Sequence, residues 1–265
     1  MLRPIITLTT DFGLKDSYVA EMKAVILNVS PSARIVDITH KIDKFDVRMG
    51  AYVLASASPY FPRGTVHVAV VDPGVGTKRQ AIIVETREGC FVGPDNGVLA
   101  LAAKNSGGKT RVYRITNREF MMPEVSNTFH GRDIFAPAAA HLANGRLPSE
   151  AGPIAHQMVT PKFVRTVKKR GALEGQVIHV DDFGNIITNL GAGEVEAMER
   201  KGSVRVKIGN RKLTLKLCRA YGDVEKQQPL AIIGSHNFLE ISVNQGSAAG
   251  FFSAEAGDDV VLCQS

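Results

Sequence analysis

The stretch PIITLTTDFG, residues 4–13, decides the fold class. Its middle residues are β-branched or leucine, which predicts a strand, and the DFG that follows predicts a turn. The next stretch, DSYVAEMKAVILNVSP (16–31), predicts a helix, because its apolar residues recur at helical spacing. Asp16 or Ser17 can cap this helix, and Pro31 lies beyond its end. A strand followed at once by a helix indicates an α/β fold.

The alternation of strand and helix continues to about residue 145. Further strands are predicted at RIVDITH (34–40), GTVHVAVVDPGVG (64–76), AIIVET (81–86), GCFVGPDNG (89–97) and TRVYRIT (110–116), and further helices at DVRMGAYVLASASPYF (46–61), VLALAAKN (98–105) and HGRDIFAPAAAHLANG (130–145). We therefore predict an N-terminal α/β domain, residues 1–155, with a largely parallel central sheet. Because open α/β sheets bind ligands at the carboxyl ends of their strands, the site is expected at TTDFG, VVDPGVG and FVGPDNG.

The pattern changes in the last hundred residues. Residues 156–172 are proline-spaced and charged, and we interpret them as a linker. From residue 173 to residue 265 the predicted strands are short and evenly spaced, and IGNRK (208–212) is typical of a hairpin turn. This spacing predicts a smaller, all-β, barrel-like C-terminal domain.

Composition excludes several classes of protein. The 265 residues carry a net charge of +6, but the basic residues are dispersed and aromatic residues make up only 6%, so no nucleic-acid partner is predicted. No apolar run approaches the ~20 residues of a membrane helix, and the first residues lack a signal-peptide core, so we expect a cytoplasmic protein. Cys90, Cys218 and Cys263 are scattered, which argues against disulfides and a zinc site.

Three places in the first domain carry residues suited to chemistry. Asp11 follows the first strand and could hold a ribose diol or simply stabilise a turn. Asp72 and Arg79 flank a glycine-rich loop that could bring them together, either as functional groups or as a weak surface pair. His130 in TFHGRDIFAP (128–137) is either a catalytic base or a structural histidine. No metal site is predicted, because HGRD lacks an i, i+4 ligand pair.

The stretch VDDFGNIITN (180–189) is the most polar element of the second domain. Asn185 could bind an adenine edge and Phe183 could stack on a ring. The alternative is an ordinary hairpin rich in Asp, Asn and Gly.

The motifs together, in their order along the chain, resemble those of the S-adenosylmethionine hydroxide adenosyltransferase family, whose relatives include fluorinase and chlorinase. The motifs are TTDFGLKDSYVAEMKAVI (9–26), DPGVGTKR (72–79), GPDNG (93–97), FHGRD (129–133), DDFGNIITN (181–189) and GSHNFLEISVNQGSA (234–248). The resemblance implies an α/β domain followed by a β-barrel, a homotrimer with active sites between subunits, and hydrolysis of S-adenosylmethionine to adenosine and methionine without a metal or other cofactor.

The resemblance also implies roles for individual residues. The catalytic set is Asp72, Arg79 and His130. The implied substrate-binding residues are Asp11 for the ribose diol, Asp16, Ser17, Asp181 and Ser235 for the methionine portion, Phe183 and Asn185 for adenine, and Phe129 beside the reacting carbon. Gly131, also expected in the substrate site, could let a ligand approach the backbone closely.

Two alternatives have distinguishing features. The halogenating relatives carry a tyrosine in place of Asp72 and a Tyr-Ser pair in place of His130-Gly131, so water is the expected nucleophile. A non-catalytic sensor of adenosine or S-adenosylmethionine would not need the water-activating set. One departure from the family pattern is that His236 and Asn237 stand where relatives have Ser-Gly or Arg-Gly.

Overall fold

The computed structural model describes residues 3–263, which divide into two compact units with the boundary between Thr160 and Pro161. Within residues 3–160, the strands are β1 (Ile5–Thr10), β2 (Arg34–Thr39), β3 (Thr65–Val70), β4 (Ala81–Glu85), β5 (Gly89–Pro94) and β6 (Arg111–Arg114). The α-helices are α1 (Tyr18–Val29), α2 (Val47–Ala57), α3 (Ala100–Asn105) and α4 (Ala136–Ala143). The predicted alternation of strands and helices is confirmed.

The six strands form one mixed sheet in the order β2-β1-β3-β5-β4-β6. The pairs β1–β2, β1–β3 and β3–β5 are parallel, whereas β4 pairs antiparallel with both β5 and β6. Strands β1 and β3 are thus parallel neighbours in the middle of the sheet, and Thr10 lies opposite Val70 at their carboxyl ends. The loops that follow these two strands must therefore lie side by side.

The segment predicted as one helix from residue 130 has two parts. Gly131–Phe135 is a π-helical turn, and α4 begins only at Ala136. Pro137 has no N–H to donate to the carbonyl of Asp133, and the backbone N–H of Met122 donates to that carbonyl instead, at 2.8 Å. The wider turn places His130 at the start of the helix, facing the ends of the strands.

Within residues 161–263, the strands are β7 (Val167–Lys169), β8 (Ala172–Val180), β9 (Ile186–Gly191), β10 (Ser203–Ile208), β11 (Arg211–Cys218), β12 (Pro229–Ile233), β13 (Phe238–Val243) and β14 (Asp259–Cys263). Two short helices are α5 (Ala192–Glu196) and α6 (Ala248–Phe252). Strands β8 to β14 close into a seven-stranded barrel, because β14 pairs with both β10 and β8. The predicted barrel-like fold is confirmed.

The segment 156–172 differs from the predicted linker. Phe163 and Val164 are buried in a short 3-10 turn, and β7 pairs antiparallel with β8. Charge along VKKRG (167–171) concealed this hairpin, because all three residues of β7 are exposed. Most of the segment is therefore part of the second unit.

Candidate active site

Asp72 and Arg79 form a buried ion pair at the carboxyl end of β3. Arg79 Nε donates to Asp72 Oδ2 at 2.9 Å and to Oδ1 at 3.1 Å, and Nη2 donates to Oδ2 at 2.5 Å. The side chains are only 4% (Asp72) and 10% (Arg79) exposed. The interpretation of this pair as a weak surface contact is therefore wrong, since desolvation makes such a pair sensitive to the loss of either partner.

His130 completes a chain of three side chains. Its Nδ1 lies 2.6 Å from Arg79 Nη2. A guanidinium group has only donors, so Nδ1 accepts this hydrogen bond and must be unprotonated. Burial, followed by the charge of Arg79, lowers the pKa of His130, and the opposing effect of Asp72 and of a hydrogen bond to the backbone of Ser126 is smaller. His130 is thus a neutral imidazole near pH 7, with its proton on Nε2.

The groups reach a cavity of about 320 Å³ in the first unit. Asp72 and His130 are among its lining residues, together with two further carboxylates, Asp11 and Asp16. Arg79 is not among the lining residues of this cavity, so it contacts the other two members of the set from outside the cavity.

Aromatic rings form another wall of this cavity. The centroid of the Phe129 ring lies 5.7 Å from that of Phe12 and 5.1 Å from that of Tyr18, and all three residues line the cavity. A Cβ at position 131 would lie 3.1 Å from Phe129 Cε2 and 3.3 Å from Met22 Sδ, so a larger residue would have to displace these side chains by a few tenths of an ångström. A site that combines carboxylates with aromatic faces suits a cationic ligand.

The sequence did not single out several residues of this cavity. Phe12, Tyr18, Lys44 and Phe45 all line it. Phe45 is 66% exposed at φ +68°, and its N–H donates to Asp11 Oδ2 at 2.9 Å. A large apolar residue between charged neighbours, in KFD, was a signal that could have been followed.

Ser17, which was also predicted to bind substrate, makes its hydrogen bond away from the cavity. Its Oγ donates to Glu21 Oε1 at 2.7 Å, and Ser17 is not one of the residues that line the cavity. The structure therefore brings together Asp11, Asp16, Phe129, Gly131 and the catalytic set, with Ser17 one residue away from the cavity wall.

The second unit has its own cavity, of about 620 Å³, whose lining includes Asp181, Phe183 and Asn185. Phe183 is 82% exposed. Asp181 Oδ1 accepts from the N–H groups of Phe183 (3.0 Å) and Asn185 (2.9 Å), and its Oδ2 accepts from Asn185 Nδ2 (2.9 Å). The carboxylate thus organises the turn that presents the other two residues. The hairpin-turn interpretation of this stretch is confirmed, and the turn also lines the cavity, whereas adenine binding by Phe183 and Asn185 stays a prediction.

Ser235 is not among the residues that line this second cavity. It lies in the turn between β12 and β13. Asn237, in the same turn, has φ +65°. Asparagine tolerates this left-handed conformation better than most residues, so it can occupy the position where glycine was expected.

Between residues 3 and 263, no group of three or more His, Cys, Asp or Glu side chains is arranged to hold a metal ion. No helix in that range is both long enough and apolar enough to cross a membrane.

Comparison with known proteins identifies the family. The SAM hydroxide adenosyltransferase N-terminal domain matches residues 6–152, and the corresponding C-terminal domain matches residues 175–261. The (R)-S-adenosyl-L-methionine hydrolase of Salinispora tropica is 40% identical over 257 residues, which is 96% of each chain. A crystal structure of an uncharacterized conserved protein from Thermotoga maritima is 40% identical, covers 97% of this chain and 99% of its own, and has a TM-score of 0.85. The fluorinase of Nocardia brasiliensis is more distant, at 27% identity over 97% of this chain and 96% of its own. The chain therefore belongs to the SAM hydroxide adenosyltransferase family.

Proposed function

We propose that this protein hydrolyses S-adenosyl-L-methionine to adenosine and L-methionine, with water attacking the ribose C5′ atom. The observation that carries the proposal is the Asp72–Arg79–His130 chain at a cavity that also contains Asp11 and Asp16. Members of the family that are named hydrolases are the more similar relatives, and fluorinases are the more distant ones.

The charge of the cavity supports a sulfonium substrate and water as the nucleophile. Three carboxylates line it. Within the described residues 3–263, Lys44 is the one lysine or arginine in its lining. A sulfonium cation is attracted to such a site, whereas a halide ion is repelled by it. The sulfur leaves as a neutral thioether, so the departing methionine needs no proton from a general acid.

The difficult step is the activation of water, whose pKa in bulk is about 15.7. The reaction joins the water oxygen to C5′, breaks the C5′–sulfur bond and releases one proton. Nδ1 of His130 already accepts a hydrogen bond from Arg79. We therefore assign proton acceptance to Asp72, which lines the cavity and, as a carboxylate, has about four lone-pair positions of which Arg79 contacts three.

Arg79 and His130 then act on Asp72 and on the water through charge and orientation. Arg79 keeps its proton and holds the carboxylate of Asp72 in one position. Neutral His130 accepts a hydrogen bond from Nη2 of the same guanidinium group and so helps to fix its orientation. Orientation of the two reactants can supply on the order of 7–11 kcal/mol. Because these groups titrate as a coupled set, their pH dependence belongs to the set.

The remaining roles are proposals that rest on the family resemblance. Asp11 would hold the ribose diol, Asp16 and Ser17 the methionine portion, and Phe183 and Asn185 the adenine. Ser235 would contact the methionine end. Asp181, predicted from the resemblance to bind the methionine portion, would act instead by shaping its turn, since its carboxylate accepts three hydrogen bonds from Phe183 and Asn185.

We also propose, from the same resemblance, that the protein is a homotrimer with shared active sites and that it needs no cofactor, and we propose separately that it works in the cytoplasm. Light scattering coupled to size-exclusion chromatography tests the trimer, and a monomer at micromolar concentration would contradict it. Activity that survives dialysis against a chelator supports the absence of a metal requirement.

The test of the function is direct identification of products. Purified protein incubated with S-adenosylmethionine should release adenosine and methionine in equal amounts, quantified by liquid chromatography against standards. Tight binding of adenosine with no release of methionine would contradict the proposal and favour a sensor. A product that incorporates halide would contradict it in favour of a halogenase.

A further inference from the structure

Arg132 joins the turn that carries His130 to helix α1. Its Nε donates to Asp133 Oδ1 at 2.6 Å and its Nη2 to Asp133 Oδ2 at 3.3 Å. Its Nη1 donates to Glu21 Oε2 in α1 at 2.9 Å, and its guanidinium carbon lies 5.1 Å from the centroid of the Phe129 ring. One side chain therefore makes three contacts to two different elements.

The residues 126–133, here called the His130 turn, are closed by hydrogen bonds around the imidazole. Asp133, 1% exposed, accepts from the N–H of Ser126 at 2.8 Å, and Ser126 Oγ accepts from the N–H of Phe129 at 3.0 Å. Asp133 and Ser126 thus close the backbone of the turn that carries His130.

Asp133 depends on Arg132 for its charge. Burial on its own would raise the pKa of Asp133, but the hydrogen bonds from Arg132 and Ser126 outweigh burial, and the pKa lies below its usual value. A buried carboxylate that loses its cation is strongly destabilised. The geometry of the His130 turn is therefore sensitive to the position of the Arg132 guanidinium group.

The other end of the network reaches the first turn of α1. Glu21 Oε1 accepts from Ser17 Oγ at 2.7 Å, while Oε2 of the same carboxylate accepts from Arg132. The hydrogen bond from Ser17, followed by that from Arg132, lowers the pKa of Glu21. Ser17 is thus linked through Glu21, Arg132 and Asp133 to Ser126 in the His130 turn.

We infer that Arg132 is a positioning residue, which holds the His130 turn in register with the first turn of α1. The inference rests on the proposed function, in which the attacking water is held near His130 and the methionine portion near Ser17. In-line displacement needs both ends of the reaction aligned, and a misplacement of about 1 Å can cost about 100-fold in rate. Lysine cannot replace Arg132, because a single ammonium group lacks the planar fork that binds one carboxylate twice and reaches a second.

Arg146 provides a matched control with the same kind of contacts. Its Nε donates to Glu150 at 2.9 Å, its Nη2 donates to Glu119 at 3.0 Å, and its guanidinium carbon lies 4.6 Å from the centroid of the Phe120 ring. Its side chain is 31% exposed, compared with 35% for Arg132. None of these four residues lines the candidate active-site cavity.

The experiment compares Arg132→Lys and Arg132→Gln with Arg146→Lys and Arg146→Gln in the full-length protein. For each, kcat and KM are measured with S-adenosylmethionine, Kd with adenosine, and Tm by thermal unfolding. We expect both Arg132 variants to lose about tenfold or more in kcat, with adenosine Kd nearly unchanged, because orientation rather than binding is lost. The Arg146 variants should keep wild-type kcat. Arg132 variants with wild-type kcat, or Arg146 variants with the same loss, would overturn the inference.

A second pair of variants covers the case in which Arg132→Gln does not fold. Glu21→Gln removes one charge and keeps the shape of the side chain, and Glu150→Gln is its control. We expect a severalfold loss of kcat in Glu21→Gln alone, and equal kcat in the two variants would contradict the inference. Wild-type protein that does not hydrolyse S-adenosylmethionine would refute the proposed function and this inference together, whereas active wild type with unaffected Arg132 variants refutes the inference alone.

Discussion

Replacement of Asp72 by asparagine removes one charge from the buried pair and changes little else in shape. Arg79, whose side chain is 10% exposed, would then lose its carboxylate partner, which contacts it at 2.5, 2.9 and 3.1 Å. The asparagine amide keeps one acceptor oxygen but turns an NH₂ group towards the guanidinium group on the other side. The substitution should therefore lower both stability and turnover.

The magnitude of each effect follows from burial. Breaking a buried ion pair by removing one partner costs about 3–5 kcal/mol of unfolding free energy, and the remaining acceptor places Asp72→Asn near the lower limit. Loss of one preorganised group that stabilises developing charge costs on the order of 10²–10³ in kcat. Because Asp72 is also the proposed proton acceptor, we expect at least this loss.

Two measurements check these values. Urea unfolding gives the change in free energy, and adenosine release from S-adenosylmethionine gives kcat, with adenosine Kd measured to show that the site remains formed. Glu150→Gln, which weakens an exposed pair, is the control and should leave the unfolding free energy nearly unchanged. Asp72→Asn that folds, binds adenosine and keeps wild-type kcat would refute the assigned role of Asp72.

Further predictions concern other parts of the two units. Gly131→Ala should lower kcat without loss of fold, since the added Cβ lies 3.1 Å from a neighbouring ring; steady-state kinetics checks this. Asp181→Ala should weaken adenosine binding, because it removes the three hydrogen bonds that hold the turn at Asn185, and calorimetry would detect it. Burial and the charge of Arg79 lower the pKa of His130, so activity should persist below the ordinary histidine pKa and then fall on further acidification, when protonation breaks the bond to the guanidinium group. A pH profile that stays flat until the protein unfolds would contradict this. Burial lowers the pKa of His67 to about 4. The unfolding free energy should therefore be unaffected by this histidine above pH 6.5 and lower by about 3 kcal/mol at pH 4, because only the unfolded chain binds the proton readily. His67→Gln should lose this pH dependence in urea titrations.

The fold of the first unit was predictable because each strand and helix carries its own periodicity. The β-branched run at residues 5–10 and the apolar spacing of α1 are local signals, and the structure confirms both. The π-helical turn at Gly131 was not predictable in this way. It depends on a hydrogen bond from the N–H of Met122 to the carbonyl of Asp133, and these two residues belong to different segments of the chain.

The candidate site shows the same division between local and tertiary information. That Asp72 and Arg79 could meet across their loop was an interpretation from spacing, but their burial depends on packing from other elements, including the ring of Phe135, 5.3 Å from the guanidinium carbon. The bond between Arg79 and His130 joins residues 51 positions apart. Spacing along the chain cannot supply a contact of that kind.

The hairpin formed by β7 and β8 was missed for a different reason. Residues 156–172 are charged and proline-spaced, a composition that is typical of a linker. Edge strands often carry lysine, which protects them from pairing with other chains. Val167–Lys169 fits that description, so its charge is compatible with a strand.

The origin of the 5′-oxygen of adenosine tests most directly whether water is the nucleophile. Purified protein is incubated with S-adenosylmethionine in oxygen-18 water, with and without added chloride, and the products are analysed by mass spectrometry. If water is the nucleophile, adenosine will carry one oxygen-18 atom at the 5′ position, with no 5′-chloro product at any chloride concentration. Adenosine without the label, or a chlorinated nucleoside, would contradict the claim that Asp72, Arg79 and His130 direct water to C5′.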